Sequence, residues 1–281
     1  MKTRLLASAL ASGGRDRGCQ RAPQALRPWQ PRWIAHEREA QPRPWPEQSA
    51  VALSAGASLY RRAALLRRAG VRPLLVGGDH SQAIGYWSGI AAVRGPGMGM
   101  IWIDAHLDSH TPASSDSHKL HGMPLATLLG QADERWLSLL GRLPTLDAAH
   151  TCVIGYRSYE CAEYQLLASL GVHLISAERL HRQSWPCAWQ EALQRARGAR
   201  YGYGVSLDLD VFSPRCAPGV SVPVEGGLDL DAFLPSWRQL RWDTRCKGLE
   251  IAEYNPALDR RGQTRQLLRR LIAVHLPLRR R

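Results

Sequence analysis

Several short apolar runs in this chain end abruptly on polar clusters, and that pattern narrows the folds open to it more than any other feature. The clusters are Gly77-Gly78-Asp79-His80-Ser81, Asp104-Ala105-His106-Leu107-Asp108, Asp208-Leu209-Asp210 and Glu253-Tyr254-Asn255-Pro256. The runs before them are too short for buried helices and too continuous for strands with one wet face, so they read as strands covered on both sides. Longer segments of helical period separate them, which predicts a mostly parallel sheet between two helical layers, a three-layer α/β/α fold. Expected strands are Leu5 to Leu10, Pro73 to Val76, Gly99 to Ile103, Thr151 to Gly155, His173 to Ser176, Tyr203 to Leu209 and Gly248 to Glu253. Expected helices are Ser49 to Ala69, Ser81 to Val93, Pro124 to Leu129, Ala162 to Leu170, Ala188 to Arg197, Asp229 to Leu240 and Gly262 to Val274. In such sheets ligands collect beyond the carboxyl ends of the strands, so the four clusters should meet in one crevice.

Length permits one large domain or two small ones. No Ser/Gly-rich or charge-block linker divides the chain, and the proline-bearing stretch Gln41 to Gln48 reads as a connection between elements, so residues 1–281 are expected to form a single domain. The six cysteines show no CxxC or zinc-ribbon spacing and read as small buried residues in a reducing compartment. The apolar stretch Leu5 to Ala11 is too short for a signal peptide, and no segment has the length of a membrane span, so a cytoplasmic location is expected. A net charge of +13, carried mainly by arginine, raises the question of nucleic acid. Apart from Arg279-Arg280-Arg281 the arginines are scattered over helix faces, which reads as a solvated surface and predicts no specific nucleic-acid or membrane partner.

The aspartates carry the chemistry. Side chains two apart on an extended backbone share a face, so Asp104, His106 and Asp108 can point into one site, as can Asp208 and Asp210. A lone Asp-x-Asp is ordinarily a turn or a cap. Four aspartates at neighbouring strand ends, however, repel one another and are driven to protonate unless cations lie between them. Carboxylates mixed with imidazole suit a divalent ion such as manganese better than an all-thiolate zinc or all-oxygen calcium site.

Gly77 to Ser81, Asp104 to Asp108 and Ser206-Leu207-Asp208-Leu209-Asp210 resemble the three signatures of the ureohydrolase superfamily, which contains arginases, agmatinases and formimidoylglutamases. The similarity runs from Arg17-Gly18-Cys19 to Glu253-Tyr254-Asn255-Pro256-Ala257-Leu258-Asp259. It implies the arginase-like fold and two manganese ions per chain. His80, Asp104, Asp108 and Asp208 would hold the more exposed ion; His106, Asp104, Asp208 and Asp210 would hold its neighbour, with Asp104, Asp208 and a hydroxide bridging. The resemblance further implies that this hydroxide attacks the guanidino carbon, that Asp108 moves its proton to the departing nitrogen, that His121 shuttles protons to bulk water, and that Glu253 orients the guanidinium.

His121-Gly122-Met123-Pro124 and the Glu253 to Asp259 ending are closer to arginases, which implies L-arginine as substrate, giving L-ornithine and urea. The expected substrate contacts are His110, Ser117, Glu160, Glu163 and Glu253. His110, His118 and Lys119 replace common family residues, as does Glu160; guanidinobutyrate, agmatine and formiminoglutamate are the alternative substrates, of which His110, His118 and Lys119 argue against agmatine because it has no carboxylate to meet them, and a silent binding protein is a further reading. The resemblance also implies a homo-oligomer, a trimer or hexamer.

Overall fold

The computed structural model describes residues 1–31, 33–36, 47–131 and 144–277. The expected apolar runs form β1 (Thr3–Ser8), β3 (Arg72–Val76), β4 (Met98–Ile103), β5 (Leu146–Ile154), β6 (His173–Ile175), β7 (Tyr203–Asp208) and β8 (Cys246–Ala252). A two-residue strand, β2 (Ile34–Ala35), completes an eight-stranded sheet of order β2-β1-β3-β8-β7-β4-β5-β6. Every pairing is parallel, so the mostly parallel expectation becomes an all-parallel sheet.

Alternation along the strands divides two apolar layers. Leu74, Val76, Ile101 and Ile103 face a cluster built with α6 (Trp185–Arg197), α7 (Leu230–Gln239) and α8 (Gln263–His275). Their neighbours Leu75, Met100 and Trp102 face the opposite side, against α1 (Glu47–Arg68), α2 (Gln82–Ala91) and α3 (Pro124–Leu128). The helices α4 (Cys161–Ser169) and α5 (Ala177–Arg182) flank β6 in sequence. β3, β4 and β7 are buried along their whole length, as two-sided cover requires. On one face, α1 and α2 cross at glycines: a Cβ on Gly85 would lie 2.1 Å from the Gly56 carbonyl oxygen, so that crossing is set by the missing side chain.

Several boundaries differ from the sequence reading. The first strand is Thr3–Ser8 instead of Leu5 to Leu10, and residues 9–14 turn toward the sheet's carboxyl edge. The segment Gly18–Trp29 is a 3-10 helix whose internal Pro23 and Pro28 hide it from a sequence reading, while β2 and α5, at two and six residues, are too short to show a period. The helix expected from Ala188 begins at Trp185, where Pro186 occupies the first turn. Cys19, Cys152 and Cys246 are buried, but Cys161 and Cys187 are exposed, correcting the view of all six as core residues. Most of the Gln41 to Gln48 connection and Arg279-Arg280-Arg281 lie outside the described residues. Among the described residues no helix is long and apolar enough to cross a membrane.

Candidate metal centre

The carboxyl ends of β3, β4, β7 and β8 meet, because these strands are neighbours in the order β3-β8-β7-β4. After β3 the chain passes through Gly77 and Gly78 at φ of 92° and 81°. A Cβ on Gly77 would meet Ala22 and the Ser8 carbonyl at 2.8 Å, so only glycine permits this turn. Asp79 then organises the loop: its carboxylate accepts from the Gly13 amide at 2.8 Å and the Ser81 amide at 3.0 Å. His80 is thereby delivered into the crevice.

Three carboxylate oxygens converge on His80 Nδ1, from Asp104 at 3.2 Å, Asp108 at 2.9 Å and Asp208 at 3.1 Å. The other Asp104 oxygen lies 3.5 Å from His106 Nδ1, which also meets Asp210 at 3.0 Å. Asp104 thus addresses both histidines, one through each oxygen. Backbone amides fix the remaining lone pairs: His106 donates to Asp104 at 2.7 Å, Asp210 to Asp208 at 2.8 Å and Ala105 to Asp210 at 3.1 Å. Trp102 Nε1 donates to Asp104 at 3.1 Å, and its ring stacks on His80 with centroids 4.3 Å apart.

The donor set fits a pair of divalent cations. His80 Nδ1 and Asp108 Oδ2 are buried and lack a hydrogen-bond partner although they nearly touch, the geometry of two ligand atoms facing a common centre. Burial and then Asp104 push the Asp108 carboxyl up to about 7, and burial and carboxylate neighbours also raise Asp208 and Asp210. Asp104 is held low in spite of burial because His106 and His80 bond to it. His106 rises to about 12 against the effect of burial, through Asp210 and Asp104. Such a cluster calls for positive charge. Two overlapping sets can each receive one ion: His80, Asp104 and Asp208; and Asp104, His106 and Asp210. The His80 side is the deeper, with a side chain 1% exposed against 22% for His106, which reverses the expectation that the His80 set is the more exposed.

His80 is held from behind by residues that the sequence reading did not single out. Its Nε2 lies 2.9 Å from Ser206 Oγ, which donates at 2.8 Å to Glu250; Trp87 donates to the same Glu250 oxygen at 2.6 Å. Ser206 and Glu250 are register partners across β7 and β8. The available signal was a glutamate inside the apolar run Gly248 to Ala252, where a charged side chain needs a buried partner.

Glu253 closes the crevice opposite the aspartates. Its Oε1 accepts from the His80 amide at 2.9 Å and lies 3.2 Å from His121 Nδ1; Cys19 Sγ is 3.8 Å from Oε2. Burial opposes both charges of this pair, yet Glu253 lifts His121 to about 9 and His121 keeps Glu253 low. Asp108 and Glu253 both have left-handed backbone, φ 49° and 63°.

A cavity of about 230 Å³ opens over the cluster, lined at its depth by His80, His106, Asp108, Asp208, Asp210, His121 and Glu253. Ser158, Tyr159, Glu160, Glu163 and His110 also line it. His110 Nε2 lies 3.4 Å from Glu163 and 3.7 Å from Glu160, and Nδ1 lies 3.2 Å from Ser114 Oγ. Glu163 accepts from the Ser109 and Glu160 amides, capping α4 and tying it to the loop after β4. Ser117 is not part of the lining; its hydroxyl accepts from the Lys119 amide within its own loop.

An all-parallel α/β sheet with two imidazoles and four aspartates at its carboxyl edge defines an α/β protein with a metal-capable acidic cluster. The Arginase family matches residues 10–276. An arginase from Brevibacillus brevis is 36% identical over 197 residues, 70% of this chain and 65% of that protein. One from Bacillus caldovelox is 34% identical over 68% of this chain and 64% of its own length. The chain thus aligns with somewhat under two thirds of these relatives. The solved Bacillus caldovelox arginase superposes with a TM-score of 0.89 at 26% identity, covering 99% of both chains. This chain belongs to the arginase family.

Proposed function

We propose that the protein is a hydrolase of linear amidines that cleaves the guanidino group of L-arginine to L-ornithine and urea. The observation that carries this reading is the convergence of the three carboxylates on the unpartnered Nδ1 of His80, with Glu253 across the same cavity. Two manganese ions would be held by His80, Asp104, His106, Asp108, Asp208 and Asp210. When bound, such a pair lowers the pKa of a shared water and supplies a nucleophile at neutral pH.

The chain's own residues do the rest. Glu253 presents a carboxylate to the planar guanidinium and orients it over the cluster. Asp108 passes a proton to the departing nitrogen. His121, 17% exposed in the cavity wall, exchanges protons with solvent and neutralises Glu253 between turnovers. His110, Glu160 and Glu163 would meet the far end of the substrate.

A second reading within the same chemistry, hydrolysis of another guanidino or formimino compound, is favoured by the rim. Both nitrogens of His110 face protein partners, and Ser117 caps its own loop instead of lining the cavity. The continuous sheet drawn from Thr3 to Ala252 supports a single domain. We further read the protein as a cytoplasmic homo-oligomer acting on small molecules.

The test is urea release from L-arginine by manganese-loaded protein, beside agmatine and 4-guanidinobutyrate, and formamide release from formiminoglutamate. Release from arginine alone, abolished in Asp108→Asn, is expected; release from another compound moves the substrate. Two bound ions per chain with no turnover of any of the four would overturn the reading.

A further inference from the structure

A cavity of about 810 Å³, separate in its lining from the one over the metal cluster and well within the size range of small-molecule sites, is bounded in part by Tyr254 and Pro256, just after Glu253 in the chain. Arg21 and Arg27 of the 3-10 segment and Arg265 and Arg269 of α8 line it, with Tyr254 and Gln24. No acidic residue contributes to the lining. Among the described residues none of these four guanidinium groups lies within ion-pairing distance of a carboxylate, whereas Arg179, Arg182, Arg197 and Arg270 elsewhere on the surface each have one. Arg270, next to Arg269 on α8, pairs with Asp231. The helix therefore spends one arginine on a neighbour and leaves Arg265 and Arg269 facing the hollow.

Four like charges around one concavity repel, and an anion removes that cost. A guanidinium is the group best shaped for two-point contact with phosphate. A phosphomonoester carries about −1.5 to −2 at neutral pH, so two of them match four guanidinium groups.

We infer that this cavity is a binding site for a small metabolite carrying two phosphate groups. The 3-10 segment reaches Glu253 through Cys19 Sγ, 3.8 Å from the carboxylate, and Tyr254 of the lining is its neighbour in the chain. Gly18 also packs directly on Asn255, where a Cβ would fall 1.9 Å from Oδ1. A ligand that draws the walls together bears on the residue that faces the metal cluster.

Calorimetric titration of the manganese-loaded protein with fructose 1,6-bisphosphate as the probe, and fructose 6-phosphate as its one-phosphate comparison, tests this. The expected result is one saturable site per chain for the bisphosphate, about tenfold or more tighter than for the monophosphate. Arg265→Ala and Arg269→Ala should each weaken it about tenfold, while Arg200→Ala, an exposed arginine stacked on Tyr201 just before β7, leaves it unchanged. All three positions are exposed, so the variants should keep the parent melting temperature. Absence of saturable binding overturns the inference, and so does an equal loss in Arg200→Ala.

Discussion

Replacing Glu250 by leucine should weaken metal binding at a site whose ligands it never touches. Ser206 can donate its single proton to only one neighbour. With Glu250 ionised, that proton goes to the carboxylate at 2.8 Å, and the Ser206 lone pair receives the Nε2 proton of His80 at 2.9 Å. The imidazole is then held in the tautomer with a free lone pair on Nδ1, the atom facing Asp104, Asp108 and Asp208. In Glu250→Leu the Ser206 proton loses the acceptor that it shares with Trp87. Ser206 must then donate toward His80, which moves the ring proton to Nδ1. Restoring the binding tautomer leaves the buried Ser206 proton without an acceptor, which costs about 1–3 kcal/mol, or roughly 5- to 150-fold in the first manganese dissociation constant. Titration calorimetry on chelator-treated protein reads this, with far-UV circular dichroism confirming the fold. Glu250→Gln, whose amide oxygen can take the place of the shared carboxylate oxygen and accept from both Ser206 and Trp87, should stay closer to the parent affinity. A Glu250→Leu affinity within about twofold of the parent, or an equal loss in Glu250→Gln, would refute the relay.

Three other outcomes are expected. His275 is buried with neither ring nitrogen partnered, and burial, aided by Arg72 and Arg241, lowers it to about 3. Below its unfolded value of about 6.5 the unfolded chain takes up the proton and the folded chain does not, so stability falls as pH drops, by about 2 kcal/mol at pH 5. Urea denaturation at pH 7.5 and 5 should show that loss shrink in His275→Phe, and identical losses in the two proteins would remove His275 as its source. Gly85→Ala should destabilise by about 1–2 kcal/mol because its Cβ strikes the Gly56 backbone, while Gly56→Ala, with 3.8 Å of clearance, should be neutral or stabilising; thermal melts in the opposite order would contradict this crossing. Removing the carboxylate in Glu253→Gln should leave manganese affinity within a few fold but raise KM and lower kcat for the guanidino substrate, and unchanged steady-state kinetics would exclude it from substrate orientation.

How much of this was legible in the sequence depended on whether the signal was local. The Asp-x-His-x-Asp and Asp-x-Asp spacings have the period of a strand, so their shared direction follows from Asp104, His106, Asp108, Asp208 and Asp210 directly. The meeting of four strand ends follows from parallel topology. By contrast, the Ser206–Glu250 contact depends on the register between β7 and β8, residues 44 apart in the chain, and no local pattern encodes register. Depth was misread for the same reason: whether His80 or His106 is the more exposed depends on which neighbouring strand covers it. His110 and Ser117 sit in one loop, both after Asp108, yet capping geometry turns one into the cavity and the other into its own turn.

Asp108 and Glu253 face each other across the crevice from backbone that side-chain-bearing residues avoid, at φ 49° and 63°. Glycine would occupy either position more comfortably, by about 1 kcal/mol or more. A library of this chain sorted for heat endurance alone should therefore drift toward glycine at 108 and 253, discarding two of the carboxylates that line the cavity. Sequences retaining acid at both positions carry the mark of selection for chemistry over endurance, legible without any assay.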